Sequence, residues 1–198
     1  MKKTSFSYSF LFLFLWLACS MLTAQDIPRT YHLSYFGNNL WNPGLEAGVI
    51  LPRQRATKSL LDKGDRKIHK NHIIDLGFYL DPSSHLGLFA HAGWQRKSIF
   101  PSRYFISYAA SPIGLYRSFL PATYAVNDVG AVEKVRLPGR SYFAPSLQAS
   151  LGKVSKEDPE KGIYLQAEII TLMPYNTYIL PLLNISIGYH FTLVKNNK

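Results

Sequence analysis

Residues 183 to 193 run Leu-Asn-Ile-Ser-Ile-Gly-Tyr-His-Phe-Thr-Leu. Leu183, Ile185, Ile187, Tyr189, Phe191 and Leu193 are apolar, and the residues between them are small or polar. A period of two sends successive side chains to opposite faces, so this is a strand with two different sides. The same period recurs along the chain. Leu45, Ala47, Val49 and Leu51 alternate with Glu46, Gly48 and Ile50, and Ile74, Leu76, Phe78 and Leu80 with Asp75, Gly77 and Tyr79. After the turn Asp81-Pro82-Ser83-Ser84, Leu86 to Trp94 alternates again, with Gly87, Phe89, His91 and Gly93 on its second face. Arg103 to Ala110, Phe143 to Leu151 and Ile163 to Ile169 repeat the pattern.

An eighth strand is expected between Ala122 and Arg136, where the alternation is blurred. Tyr31 to Phe36 also alternates and reads as a ninth strand, a plug or a lead-in; we place it in a lead-in over residues 25–43. Proline removes a ladder hydrogen bond. Pro112 is therefore expected to mark a bulge or the end of the fourth strand, with a register change before Ile113. Pro145 should sit near a strand start.

Period two fits a soluble sandwich, a soluble ligand-binding barrel or a membrane barrel. The polar face decides among them. It holds Gly, Ser, Gln, Asn, His and an occasional acid, not the Lys and Glu of a water-exposed sheet. The other face is Leu, Ile, Val, Ala and Phe, with Trp and Tyr near several strand ends. That is the pattern of a lipid-facing wall around a polar interior. In lipid the sheet must close, because an open edge leaves backbone groups unpaired. The predicted fold is all-β: a closed antiparallel transmembrane β-barrel over residues 44–194, with a tail at 195–198. About eight strands fit the length at about 9 to 11 residues each, and ten is the other count it permits.

Composition adds an address. Lys2 and Lys3 precede the apolar run Phe10 to Cys19, and small residues follow. This describes a secretory signal peptide over residues 1–24, cut after Ala24. The rival readings are an uncleaved anchor and a lipoprotein signal at Cys19. Cys19 is the only cysteine of the 198 residues, so a chain cut after Ala24 has no disulfide, thiol catalyst or Cys-bound zinc. Lys and Arg number 22 against 12 Asp and Glu, a net charge of +10. The bases are scattered rather than striped, which points to anionic lipid headgroups or lipopolysaccharide phosphates and away from nucleic acid. Two dense charged connectors stand out, 56–70 and 153–162. With the first strand at Leu45–Leu51 and a periplasmic N-terminus, connector 56–70 is expected on the outer side.

Ser186 to Leu193 resembles the C-terminal signal of bacterial outer-membrane β-barrel proteins. That signal runs polar, any, Gly, any, any, hydrophobic, any, hydrophobic. The matches are Ser186, Gly188, Phe191 and Leu193; the departure is the continuation to Lys198. The resemblance implies recognition by the barrel assembly machinery and residence in the Gram-negative outer membrane.

An eight-stranded barrel encloses a space that side chains just fill. The expected lumen set is Glu46, Asp75, His91, Gln148, Gln166, Glu168, Asn184 and His190, with Ser186, and with Arg103 and Arg117 as further candidates. A paired polar filling with a structural or narrow small-solute or lipid-handling role is the leading reading, and the protein is expected to be monomeric. The alternatives are a lipid-modifying outer-membrane enzyme using Ser, His and an acid, and a soluble periplasmic lipocalin-like barrel for a hydrophobic ligand. No Gly-x-Ser-x-Gly elbow and no His-x-x-x-His pair occurs, so no catalytic, cofactor or metal residue is assigned. His69, His72 and His85 are expected at the rims.

Overall fold

The computed structural model describes residues 29–53, 66–126, 130–176 and 178–192. The signal segment 1–24, residues 56–65 of the first charged connector, Leu193 and the tail 195–198 lie outside the described residues.

Eleven strands form: β1 (Thr30–Asn38), β2 (Asn42–Pro52), β3 (Lys67–Asp81), β4 (His85–Ile99), β5 (Tyr104–Phe119), β6 (Tyr124–Val126), β7 (Val132–Lys134), β8 (Ser141–Phe143), β9 (Ser146–Val154), β10 (Gly162–Tyr175) and β11 (Tyr178–Thr192). β1 to β5 pair in sequence order, each antiparallel to the next. β5 then pairs with β8 and β9, which are two halves of one wall strand broken at Ala144-Pro145. Both halves pair with β10, β10 with β11, and β11 with β1. The ring therefore closes on eight wall strands and leaves no free edge, which is what a sheet in lipid requires.

The eighth wall strand is not where the sequence pattern put it. It is β1, drawn from the presumed lead-in, with Thr30 opposite Thr192 and Asn38 opposite Asn184. The stretch 122–136 instead holds the small hairpin β6–β7, which pairs only with itself. All six of its strand residues are exposed, so it has no inward face to bury. The physical reason is the alternation itself. β1 carries His32, Ser34, Phe36 and Asn38 on one buried face, and the hairpin carries no such set.

Counting β1 reverses the parity of the connectors. Both described chain ends now lie at one end of the barrel, together with Arg53, Arg66 and connectors 100–103 and 155–161. The described flanks of the basic connector, Arg53 and Arg66 to Lys70, are thus at the terminal end, opposite to the expectation. Its last residues, Lys67–Lys70, belong to β3. The opposite end holds three short turns, at 39–41, 82–84 and 176–177, and the long connector 120–140.

Both prolines fall where ladder chemistry places them. The β4–β5 register runs Ala92↔Ile113 and then Trp94↔Ala110, so Ser111 and Pro112 oppose Gly93 alone. This is a β-bulge at Pro112 with the register change before Ile113, and β5 continues beyond it to Phe119. Pro145 immediately precedes β9.

The outward face carries a broad apolar band around the wall. Leu33, Leu45, Leu76, Leu88, Ile106, Leu151, Leu165 and Ile187 are all exposed. Trp94, Tyr104 and Tyr189 lie toward the terminal end, and Trp41, Phe143 and Tyr178 toward the other. In water this much contiguous apolar surface would be a liability, whereas against acyl chains it is the favourable surface.

Candidate functional site: the barrel lumen

The strand pleat sends every second side chain inward, and the inward set is layered. At the end opposite the termini, Phe36, Tyr79, Phe89, Tyr116, Ala144, Ile170, Leu172 and Leu182 form an apolar layer. At the terminal end Ile99, Phe105, Val154 and Tyr164 form another. Between them lies a buried polar network.

One pairing rule builds these layers. Phe36 faces Gly44, Phe89 faces Gly77, Tyr79 faces Gly87, Phe105 faces Gly152 and Tyr164 faces Gly188 as direct cross-strand partners. In each pair the ring lies where a Cβ on the glycine would stand. These five glycines are therefore space for aromatic rings that cross the narrow lumen.

The structure places all eight of the expected lumen residues, Glu46, Asp75, His91, Gln148, Gln166, Glu168, Asn184 and His190, in the buried interior, with Ser186 among them. Five of them, Asp75, His91, Gln148, Glu168 and Asn184, meet one another through side chains. Glu168 is the hub. Its Oε1 accepts from Gln148 Nε2 at 3.0 Å and faces His91 Nδ1 at 3.3 Å, and its Oε2 accepts from Asn184 Nδ2 at 3.1 Å. Gln148 Nε2 also donates to Asp75 Oδ2 at 3.2 Å, which links this hub to β3. Asp75 Oδ1 lies 2.8 Å from His32 Nε2, and His32 Nδ1 lies 3.0 Å from the Tyr164 hydroxyl. Gln166 accepts from Ser150 at 3.2 Å, and Ser150 meets Ser107. Glu46 accepts from Ser34 at 3.3 Å. His190 stacks on Tyr164 with ring centroids 4.4 Å apart.

Several members were missed in the sequence. His32, Ser34 and Asn38 came with β1, and their alternation was visible but not assigned to the wall. Gln95 closes the polar face of the Leu86 to Trp94 alternation but was not put in the lumen set, and Asn71 and Lys97 lie where β3 and β4 extend past the apolar runs. The ammonium of Lys97 is buried and sits 4.5 Å over the Phe105 ring. Arg103 and Arg117 do not join the network. Arg103 forms the 100–103 turn with φ 67°, and Arg117 reaches Ser141 and the Leu137 carbonyl at the opposite rim. His85 lies at that rim too, bonded to Tyr79 and Tyr116. His69 and His72 are part-buried toward the terminal end of β3.

The connector 155–161 folds across the terminal mouth. Thr30 donates to Glu160 at 2.7 Å, and Thr192 donates to Asp158 at 3.1 Å. Burial pushes the Asp158 carboxyl up, but the Glu160 backbone N–H, the Thr192 hydroxyl and the Lys161 ammonium outweigh it and hold it below its ordinary value.

The chemistry available inside is limited by this geometry. His91 Nδ1 faces both Glu168 and Ser146, the latter at 3.4 Å, and its Nε2 has no partner. A Ser-His-acid relay needs the serine and the acid on different ring nitrogens. No group of three or more His, Cys, Asp or Glu able to hold a metal occurs among the described residues.

The fold is that of the eight-stranded outer-membrane β-barrels. Neisserial surface protein A (NspA) superposes with a TM-score of 0.56 over 85% of this chain and 98% of its own, at 9% identity. A de novo designed transmembrane β-barrel gives a TM-score of 0.42 over 86% of this chain and 98% of its own, at 10% identity. The attachment invasion locus protein Ail of Yersinia pestis gives a TM-score of 0.41 over 83% and 96% of the two chains, at 11% identity. No protein-family model and no curated protein sequence matches the chain.

Proposed function

We propose that this chain is an integral protein of the bacterial outer membrane whose lumen is filled by its own side chains, so that it serves the envelope as a structural wall protein or a narrow handler of small solutes or lipid. The observation that carries the reading is the inversion of the two faces. Leucine, isoleucine and tyrosine face outward, and three carboxylates, three histidines and their amide and hydroxyl partners face inward. A soluble ligand-binding barrel needs the reverse arrangement. The apolar layers on either side of the polar network support a closed lumen, since they leave the charged groups no contact with bulk water.

The lipid-modifying alternative draws on the same His, Ser and Glu, but the His91 geometry gives it no relay. The test of the filled lumen is conductance. Reconstituted into planar bilayers, the protein should give no steady open-channel current in molar salt. A stable current of porin size would overturn the filled lumen while leaving membrane insertion intact.

A further inference from the structure

The outer wall carries a chemistry that the lumen does not use. On β2, β3 and β4 the apolar band ends at Leu51, His72 and Trp94, which are cross-strand neighbours. Two residues further toward the terminal end, on the same face, stand Arg53, Lys70 and Arg96. The Arg53 N–H donates to the Lys70 carbonyl at 3.0 Å, and Lys70 is directly opposite Arg96. All three are exposed. Like charges directly opposite one another on a sheet are destabilising, with Cβ atoms about 4.5 to 5.5 Å apart. None of the three has an ion pair among the described residues, and no described carboxylate shares this face. Glu46, Asp75 and Glu168 are inside, Asp81 ends β3 at the opposite rim, Glu133 is on the β6–β7 hairpin, and the other described acids are in connector 155–161.

The same row continues in a different character. Arg96 pairs with Tyr108, Tyr108 with Ala149, and Ala149 with Ala167. These alanines, with Ala110, line a groove of about 650 Å³ at the wall, whose lining also includes the inward residues Asn71, Gln95 and Gln148. Arg53, Lys70 and Arg96 line one part of it, and Leu147, Ile169 and Leu183 line another. The site is cationic at one end, apolar along its length, and edged by Trp94 at the limit of the apolar band.

We infer that this groove holds an anionic glycerophospholipid, with its phosphate against Arg53, Lys70 and Arg96 and an acyl chain over Ala110, Ala149 and Ala167. The inference rests on the membrane reading above. The choice of lipid follows from the end of the barrel. Both described chain ends are at this end, and a barrel inserted from the periplasm need not carry either of them across the membrane. The leaflet meeting this row is then the phospholipid leaflet, not the lipopolysaccharide one.

Trp94 is the reporter. The chain's other tryptophans are Trp16 and Trp41, so the full chain with Trp16→Phe and Trp41→Phe reports from the site alone. It is reconstituted into phosphatidylcholine vesicles containing brominated-acyl phosphatidylglycerol or brominated-acyl phosphatidylcholine, and quenching is measured. We expect phosphatidylglycerol to be preferred about tenfold at low salt. The preference should fall to about one in 1 M salt and in the Arg53→Gln/Lys70→Gln/Arg96→Gln chain. A parental ratio near one overturns the proposal, as does full retention in the triple variant. Stronger displacement by lipopolysaccharide, or equal displacement by inorganic phosphate, overturns the assigned occupant. A preference that emerges only in Asp62→Asn/Asp65→Asn means that connector carboxylates neutralise the cations, and it overturns the proposal too. Quenching by neither brominated lipid shows that Trp94 is not in the bilayer and removes the membrane reading as well.

Discussion

At the scale of single residues, one methyl group reports how tightly the lumen is filled. Gly48 lies between His32 and Asp75, its direct partners on either side, and a Cβ there would fall on His32 Nε2, Asp75 Oδ1 and the Ile74 carbonyl. Gly48→Ala should destabilise the barrel by about 1 to 3 kcal/mol through overpacking, as read from urea unfolding in lipid vesicles. Glu168 tests the network in the opposite sense. Glu168→Ala removes the acceptor of Gln148 and Asn184 and the partner of His91, and should cost about 3 kcal/mol or more. Glu168→Gln keeps an acceptor oxygen and should cost less. Equal costs for the two would mean that the carboxylate's hydrogen bonds do not hold the hub. The inward position of Glu168 was legible from its alternation with Ile163, Leu165, Ala167 and Ile169. Its partners were not. Gln148 is 20 residues away and His91 further still, and which inward residues meet depends on the stagger between strands, which no local pattern encodes.

At the scale of elements, seven wall strands, the Pro112 bulge and the start of β9 were legible because each depends on local alternation or on proline chemistry. The eighth strand was misplaced because two segments competed, and length alone admitted both. What separated them was closure: β1 has a buried face and two partners, whereas β6 and β7 have only each other. Two deletions should therefore behave differently. Removing residues 123–135 should leave the folded barrel's gel mobility unchanged, and removing 30–38 should abolish folding by breaking the ring between β2 and β11. The connector 155–161 carries a pH dependence. The Asp158 carboxyl lies below its ordinary value, so its hold on Thr192 is present at neutral pH and is lost as pH falls through that lowered value. Asp158→Asn should speed amide exchange in 155–161 at pH 7. The difference from the parental chain should vanish at a pH low enough to protonate Asp158.

At the scale of the whole molecule, the two faces of the sheet carry the account. Apolar-out and polar-in were readable along each strand, and they set the class before any partner or lumen contact was known. The end at which each connector emerges was not readable, because it depends on counting every strand, and one miscount moves the basic connector to the other end. The central claim is a closed barrel in a membrane. It is tested by expressing the chain with its signal, fractionating the envelope, and running the membrane fraction on a gel with and without boiling. A closed membrane barrel should be recovered in the outer-membrane fraction and show a clear mobility difference between the unheated and the boiled sample. Recovery as a soluble periplasmic protein whose mobility is the same before and after boiling would contradict it.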